Sequence, residues 1–90
     1  MCEGVLFSQL QEKDVINICD GQNLGNITDL VLDLKGGLIM TIVVEEGGRC
    51  FSFLSKTQGY FIPWCAIKKI GEDIILIEVE HIEKLLRPLD

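Results

Sequence analysis

Apolar and polar residues alternate along much of this 90-residue chain. Alternation with a period of two is typical of a β-strand that packs one face on a core, because successive side chains point to opposite faces of the sheet. The longest alternating stretch runs from Leu24 to Leu34, and Leu30, Leu32 and Leu34 share one of its faces. We expect that face to lie in the core.

Five further strands are predicted, separated by turns that contain glycine. They cover residues 15–19, 38–45, 50–54, 60–62 and 74–79. Lys35-Gly36-Gly37 is a hairpin signal between the two longest strands. In the strand at 50–54, Phe51 and Phe53 share a face and are expected to point inward.

Helical structure is expected only in short pieces. Ser8 and Gln11 have the spacing of a capping box, which predicts a helical turn at about residues 9–14. Ile67 and Ile70, three residues apart, predict one helical turn over residues 64–69, which Gly71 would end in a left-handed conformation. A further short helix is predicted over residues 80–86.

Six or so short strands with turns about every ten residues predict a small all-β fold. We expect a single antiparallel β-barrel with one or two short helical turns. A chain of this length has room for one core, so residues 1–90 are expected to form one domain. Side chains fill the interior of so small a barrel, which leaves little room for a buried ligand.

Acidic residues outnumber basic ones by 14 to 8, which gives a net charge of −6. This balance argues against nucleic-acid binding, which depends on neutralising phosphates with Lys and Arg. The apolar runs fall far short of the ~20 residues needed to span a bilayer. No basic segment precedes an apolar run near Met1, so no signal peptide is predicted and the protein is expected in the cytoplasm.

The cysteines are widely spaced, and no C-x-x-C pair marks a zinc or redox site. They are Cys2, Cys19, Cys50 and Cys65. Cys65 follows Trp64 as in thioredoxin-like motifs, but the position three residues on is Lys68, so no resolving cysteine is present. His81, the sole histidine, lies in the C-terminal tail. We therefore predict no catalytic residue, cofactor or metal, and no enzymatic activity.

Two strands carry apolar residues on both faces, whereas a closed barrel has one interior. They are residues 38–44 and 74–77. We therefore expect a symmetric homodimer that covers the outer face of one or both strands. The candidate dimer or partner face comprises Leu38, Met40, Ile42, Ile74 and Leu76.

Two groups of residues carry a family resemblance. The first group is Asp20, Gly21, Leu24, Gly25 and Asp29, and the second is Ile62, Pro63, Trp64, Ile67, Gly71 and Asp73. In this order they resemble the PRC-barrel domain, and more narrowly the small YlmC/YmxH group associated with sporulating Gram-positive bacteria. The resemblance covers about residues 8–79 and leaves 80–90 as a C-terminal tail.

The resemblance implies a small β-barrel used for docking, as in the cytoplasmic part of the photosynthetic reaction-centre H subunit and in the ribosome maturation factor RimM. It brings no catalytic residues with it. The expected function is a non-enzymatic protein–protein interaction module acting in sporulation, with a partner still to be identified. The alternative is a metal-binding or thiol redox-sensing module built on Cys65 and one or more of the other cysteines.

Overall fold

The computed structural model describes residues 4–45 and 58–88. It contains one short α-helix, α1 (Phe7–Gln11), and two 3₁₀ helices, Trp64–Ala66 and Ile82–Leu85. The strands are β1 (Asp14–Asn17), β2 (Gln22–Asp33), β3 (Leu38–Glu45), β4 (Gln58–Pro63), β5 (Ile67–Ile70), β6 (Ile74–Ile77) and the three-residue β7 (Leu86–Pro88). The strand predicted at 50–54, with Phe51 and Phe53, lies outside the described residues.

All described strands belong to one sheet in the order β5-β6-β1-β2-β3-β4-β7. The mostly β fold is confirmed, but the prediction of an entirely antiparallel, closed barrel is wrong. β1 and β6 run parallel, with Val15 opposite Ile75. Across residues 4–45 and 58–88, the edge strands β5 and β7 do not pair, so the sheet is open. Alternation identifies the buried face of a strand but not the direction of the strand beside it.

One cluster of aliphatic side chains forms the core. Its buried members are Leu10, Val15, Leu24, Ile27, Ile42, Val44, Ile62, Ile75 and Ile77. They come from α1 and from strands in both halves of the sheet, so the sheet curls around a shared interior. Helix α1 covers part of that interior through Leu10, which is the buried residue of the helix.

The long hairpin formed by β2 and β3 extends beyond the rest of the sheet. β1 pairs with β2 only as far as Asn26, and β4 pairs with β3 only from Thr41 onward. Among the described strands, residues 30–33 therefore pair only with β3, and residues 38–40 have no partner strand other than β2. We call residues 30–40 the hairpin ribbon.

The leucine face of β2 is only partly in the core, contrary to the prediction. Leu30 packs against the core cluster, but Leu32 is 53% exposed and Leu34 is 93% exposed. The reason is geometric, because Leu32 and Leu34 lie on the hairpin ribbon, past the last residues that the neighbouring strands cover. Leu24 and Ile27 supply the buried side chains of β2 instead.

The short helices also differ from the prediction. Helix α1 begins earlier, because the Leu6 N–H donates to the side-chain oxygen of Gln9 at 2.9 Å, and Gln9 takes the position predicted for Gln11. Ile70 lies in strand β5, opposite Ile75, so the helical turn is confined to Trp64–Ala66. The tail forms the predicted short helix, and Leu85 packs against the core.

No helix in the described part of the chain is long and apolar enough to cross a membrane.

Candidate functional site

Asp20 and Gly21 form the turn between β1 and β2. The Asp20 carboxylate accepts a hydrogen bond from the Gln22 N–H at 2.9 Å, and the Gly21 N–H donates to the Asn17 carbonyl at 2.7 Å. Gly21 has a φ of +72°, a conformation that costs other residues about 1–2 kcal/mol. These two residues therefore set the geometry of the turn.

Leu24 and Gly25 hold β1 against β2. Leu24 is buried in the core, and Gly25 is buried with a φ of +109°. The pairing register shifts here, because Val15 lies opposite Gly25 whereas Ile16 lies opposite Asn23. A glycine at such a bulge bends the strand without steric conflict. Asp29, farther along β2, is exposed and accepts a hydrogen bond from the Leu30 N–H.

The second group of resemblance residues forms the corner between β4 and β5. Ile62 is fully buried, and Pro63 ends β4. Trp64 and Ile67 are half-buried and pack against the core cluster. Cys65 lies between them and is exposed. The large side chains thus attach this corner to the core, while the thiol faces outward.

Gly71 and Asp73 lie in the tight connection between β5 and β6. The Gly71 N–H donates to the Ile74 carbonyl at 2.8 Å, and a Cβ on Gly71 would lie 3.1 Å from that oxygen. Close approach of the backbone therefore explains this glycine, and the predicted left-handed conformation is absent. The Asp73 carbonyl accepts from the Asp14 N–H at 3.2 Å, which ties the turn to β1.

The five residues predicted as a dimer or partner face do not lie on one surface. Leu38 and Met40 are exposed on the hairpin ribbon. Ile42 lies instead in the core, because β4 and the rest of the sheet cover it. Ile74 is 39% exposed and Leu76 is half-buried, and both belong to β6, which β1 and β2 separate from β3.

The hairpin ribbon carries more exposed large apolar side chains than any other stretch of similar length in the described part of the chain. Its members are Val31, Leu32, Leu34, Leu38 and Met40, and the exposed fraction of Leu38 is 65%. The sequence reasoning included Leu38 and Met40 but placed Leu32 and Leu34 in the core. The two strands of the predicted hairpin are longer than the strands expected beside them. That difference in length was the sequence signal that could have identified all five exposed residues.

Two buried polar residues were also missed. Asn17 is fully buried in β1, and its side chain donates a hydrogen bond to the backbone carbonyl of Val79, just after the end of β6. Glu45 is 8% exposed at the end of β3, and its Oε1 has no hydrogen-bond partner within the described residues. A polar residue at an alternating core position, as in Val15-Ile16-Asn17, was the available sequence signal for the first.

The cysteines do not converge on a metal site in the described residues. Cys19 and Cys65 are free and exposed, and Cys2 and Cys50 lie outside the described ranges. Within 4–45 and 58–88, no group of three or more His, Cys, Asp or Glu side chains could hold a metal ion. His81 is exposed, with its Nδ1 3.6 Å from the Glu83 carboxylate.

A polar crevice of about 310 Å³ lies between α1 and the β5–β6 turn. Its lining residues are Val5, Gln9, Glu12, Lys13, Glu72 and Asp73. The Lys13 ammonium donates to the Glu72 carbonyl across it. That contact connects the helix to the turn, and it gives the crevice a structural role.

Comparison with known proteins agrees with the residues that carry the resemblance. A family model described as the PRC-barrel domain matches residues 3–82. The probable sporulation protein YlmC of Bacillus subtilis is 37% identical over 77 residues, which cover 86% of this chain and 95% of that protein. An uncharacterized protein of Clostridium acetobutylicum is 32% identical, covering 84% and 86% of the two chains. The uncharacterized protein YmxH of Bacillus subtilis is 28% identical, covering 81% and 87%.

Proposed function

Because this chain belongs to the PRC-barrel family, in its YlmC/YmxH-type group, we propose that it is a non-enzymatic protein–protein interaction module. The observation that carries the proposal is the exposure of Leu32, Leu34 and Leu38 on the hairpin ribbon. Clustered apolar side chains that a fold leaves uncovered are typical of protein contact sites. We place the contact surface on this ribbon.

The energetics favour contact through the ribbon. Burying a leucine fully is worth about 1.5–3 kcal/mol relative to leaving it in water. Leu34, at 93% exposure, contributes almost nothing to the fold and has nearly all of this free energy available for binding. A few such side chains at the centre of an interface supply most of the affinity in typical complexes.

The backbone of the ribbon offers a second mode of contact. Residues 38–40 of β3 have no β4 partner, and residues 30–33 of β2 have no β1 partner, among the described strands. Unpaired strand edges accept an extended segment from another chain through main-chain hydrogen bonds. The ribbon therefore combines apolar side chains with free backbone donors and acceptors.

The biological process we propose is sporulation, and it rests on similarity to a relative named as a probable sporulation protein. Deleting the gene in a spore-forming host should lower the yield of heat-resistant spores. Expression of the wild-type protein should restore the yield. A yield unchanged by deletion would contradict this part of the proposal.

The contact surface is tested by affinity capture from sporulating cells with three forms of the protein. The wild type and Ile18→Ser should retain the same bound protein, because Ile18 is exposed outside the ribbon. The variant with Leu34→Ser and Leu38→Ser should lose it. Equal capture by all three forms would overturn the assignment to the ribbon.

A further inference from the structure

The charge of the hairpin ribbon differs from that of the whole chain. The chain carries a net charge of −6, but the charged residues within 30–40 are Asp33 and Lys35, which cancel. Two copies that approach through acidic parts of the surface repel each other. Two copies that approach through the ribbon meet at a neutral, apolar surface. Self-association through the ribbon therefore brings no net charge of one copy against that of the other.

The polar side chains of the ribbon also suit pairing with an identical copy. Lys35 takes part in no ion pair among the described residues. Asp33 lies two positions before it, and Asp29 lies at the base of the ribbon. In a two-fold contact each surface meets itself, so residue i of one copy contacts residue j of the other and the reverse. The single cation of each ribbon can then face an aspartate of the other.

The ribbon receives less packing than the rest of the sheet. A two-stranded hairpin without further packing is at best marginally stable in water. The four-residue turn 34–37 is held by the Gly37 N–H, which donates to the Asp33 carbonyl at 2.8 Å, and by the Lys35 N–H, which donates to the Asp33 carboxylate. These bonds fix the turn, but they cover none of the leucines.

We infer that the hairpin ribbon binds the hairpin ribbon of a second copy of this chain. This inference rests on the proposed function, since it names the partner that the proposed contact surface takes. The homodimer buries Leu34 and the face of β3 that carries Leu38 and Met40 across a two-fold axis, and it pairs Lys35 with aspartates of the other copy. Any further protein partner binds the dimer.

The test is sedimentation equilibrium at 1–100 µM protein, on the order of common dimer affinities. We expect a mass of twice 10.1 kDa for the wild type. The variant with Leu34→Glu and Leu38→Glu should sediment as a monomer, and the matched control Ile18→Glu as a dimer. Circular dichroism of each variant verifies the fold, which these exposed positions should not disturb. A wild-type monomer throughout this range, or a dimer in the double variant, overturns the inference.

The salt dependence of binding distinguishes a homodimer from a complex with a basic partner protein. Added salt screens the repulsion between two chains of charge −6. Between 0.05 and 0.5 M NaCl the Debye length shortens on the order of threefold, so the affinity of the dimer should stay the same or increase. Lys35→Glu should weaken the dimer about tenfold at low salt, and high salt should remove most of that loss. A wild-type dimer that dissociates with salt contradicts the inference.

The outcomes also separate this inference from the proposed function. A monomeric wild type whose ribbon variants still lose a captured protein defeats the homodimer and leaves the interaction module standing. A ribbon-dependent dimer with no captured protein supports the homodimer and removes the wider docking role.

Discussion

The side chain of Asn17 pairs with the backbone of Val79 as a strand would. Its amide nitrogen donates to the Val79 carbonyl at 2.9 Å, and its amide oxygen accepts from the Val79 N–H at 3.1 Å. The same oxygen also accepts from the Cys19 N–H at 3.3 Å. A fully buried asparagine thus closes the end of β1 against the chain that leaves β6.

Replacing Asn17 with alanine should lower the free energy of unfolding by about 2–4 kcal/mol. The change leaves three backbone groups without their partner, and an unsatisfied buried group costs about 1–3 kcal/mol. Urea unfolding followed by tryptophan fluorescence measures the loss. Asn23→Ala is the matched control, because Asn23 is exposed and its oxygen accepts one local bond from Gly25. Similar losses of stability in both variants would contradict the role assigned to the hydrogen bonds of Asn17.

Gly25→Ala should destabilise the protein by about 1–3 kcal/mol, the usual cost of a residue held in a sparsely populated backbone conformation. The cause is the φ of +109° at the bulge between β1 and β2. Gly4→Ala is the control, since a Cβ there meets no atom within 4 Å and its φ is not positive. Thermal unfolding of the two variants compares them directly, and an unchanged midpoint for Gly25→Ala would contradict the assignment.

Trp64→Ala should cost about 2–3 kcal/mol, below the ~3–5 kcal/mol typical of a fully buried aromatic residue. The ring packs against the core cluster but stays half-buried, so part of its surface is already in water. The neighbouring Cys65→Ala should change stability by no more than ~0.5 kcal/mol because Cys65 is exposed. Since Trp64 is the only tryptophan, circular dichroism is the appropriate probe. Equal effects of the two changes would show that the corner does not depend on the ring.

Glu45→Gln should raise the free energy of unfolding by about 1 kcal/mol. A buried carboxylate oxygen with no hydrogen-bond donor among the described residues is costly, and removing the charge relieves part of that cost. Glu80→Gln, at an exposed position, is the control and should have little effect. Destabilisation by Glu45→Gln would mean that a donor outside the described residues binds this carboxylate.

Metal analysis and thiol titration test the cysteine-based alternative. Protein purified without chelator should contain no stoichiometric metal. Cys19 and Cys65 should both react with a thiol reagent in the native state, since both are exposed, and neither should be markedly faster than the other. One bound metal ion per chain, or a single thiol of unusually high reactivity, would favour the alternative over the interaction module.

The sequence alone determined the strand-rich character of this protein and its family. Alternation is a local property with a period of two, so it located β2, and the glycine turn followed by an apolar run located β3. The two resemblance groups identified the PRC-barrel family, which the match over residues 3–82 confirms. Turn residues such as Asp20 and Gly21 could also be predicted, because their preference depends on backbone conformation at the residue itself.

The tertiary structure decided which apolar residues are covered. Leu24 lies in β2 and Leu34 directly follows that strand, yet one is 1% exposed and the other is 93% exposed. The difference depends on how far β1 and β4 extend beside the hairpin, which is a relation between segments distant in sequence. The parallel pairing of β1 with β6 and the bond from Asn17 to Val79 are likewise long-range. Local patterns specify faces and turns, whereas the contact surface results from where neighbouring strands end.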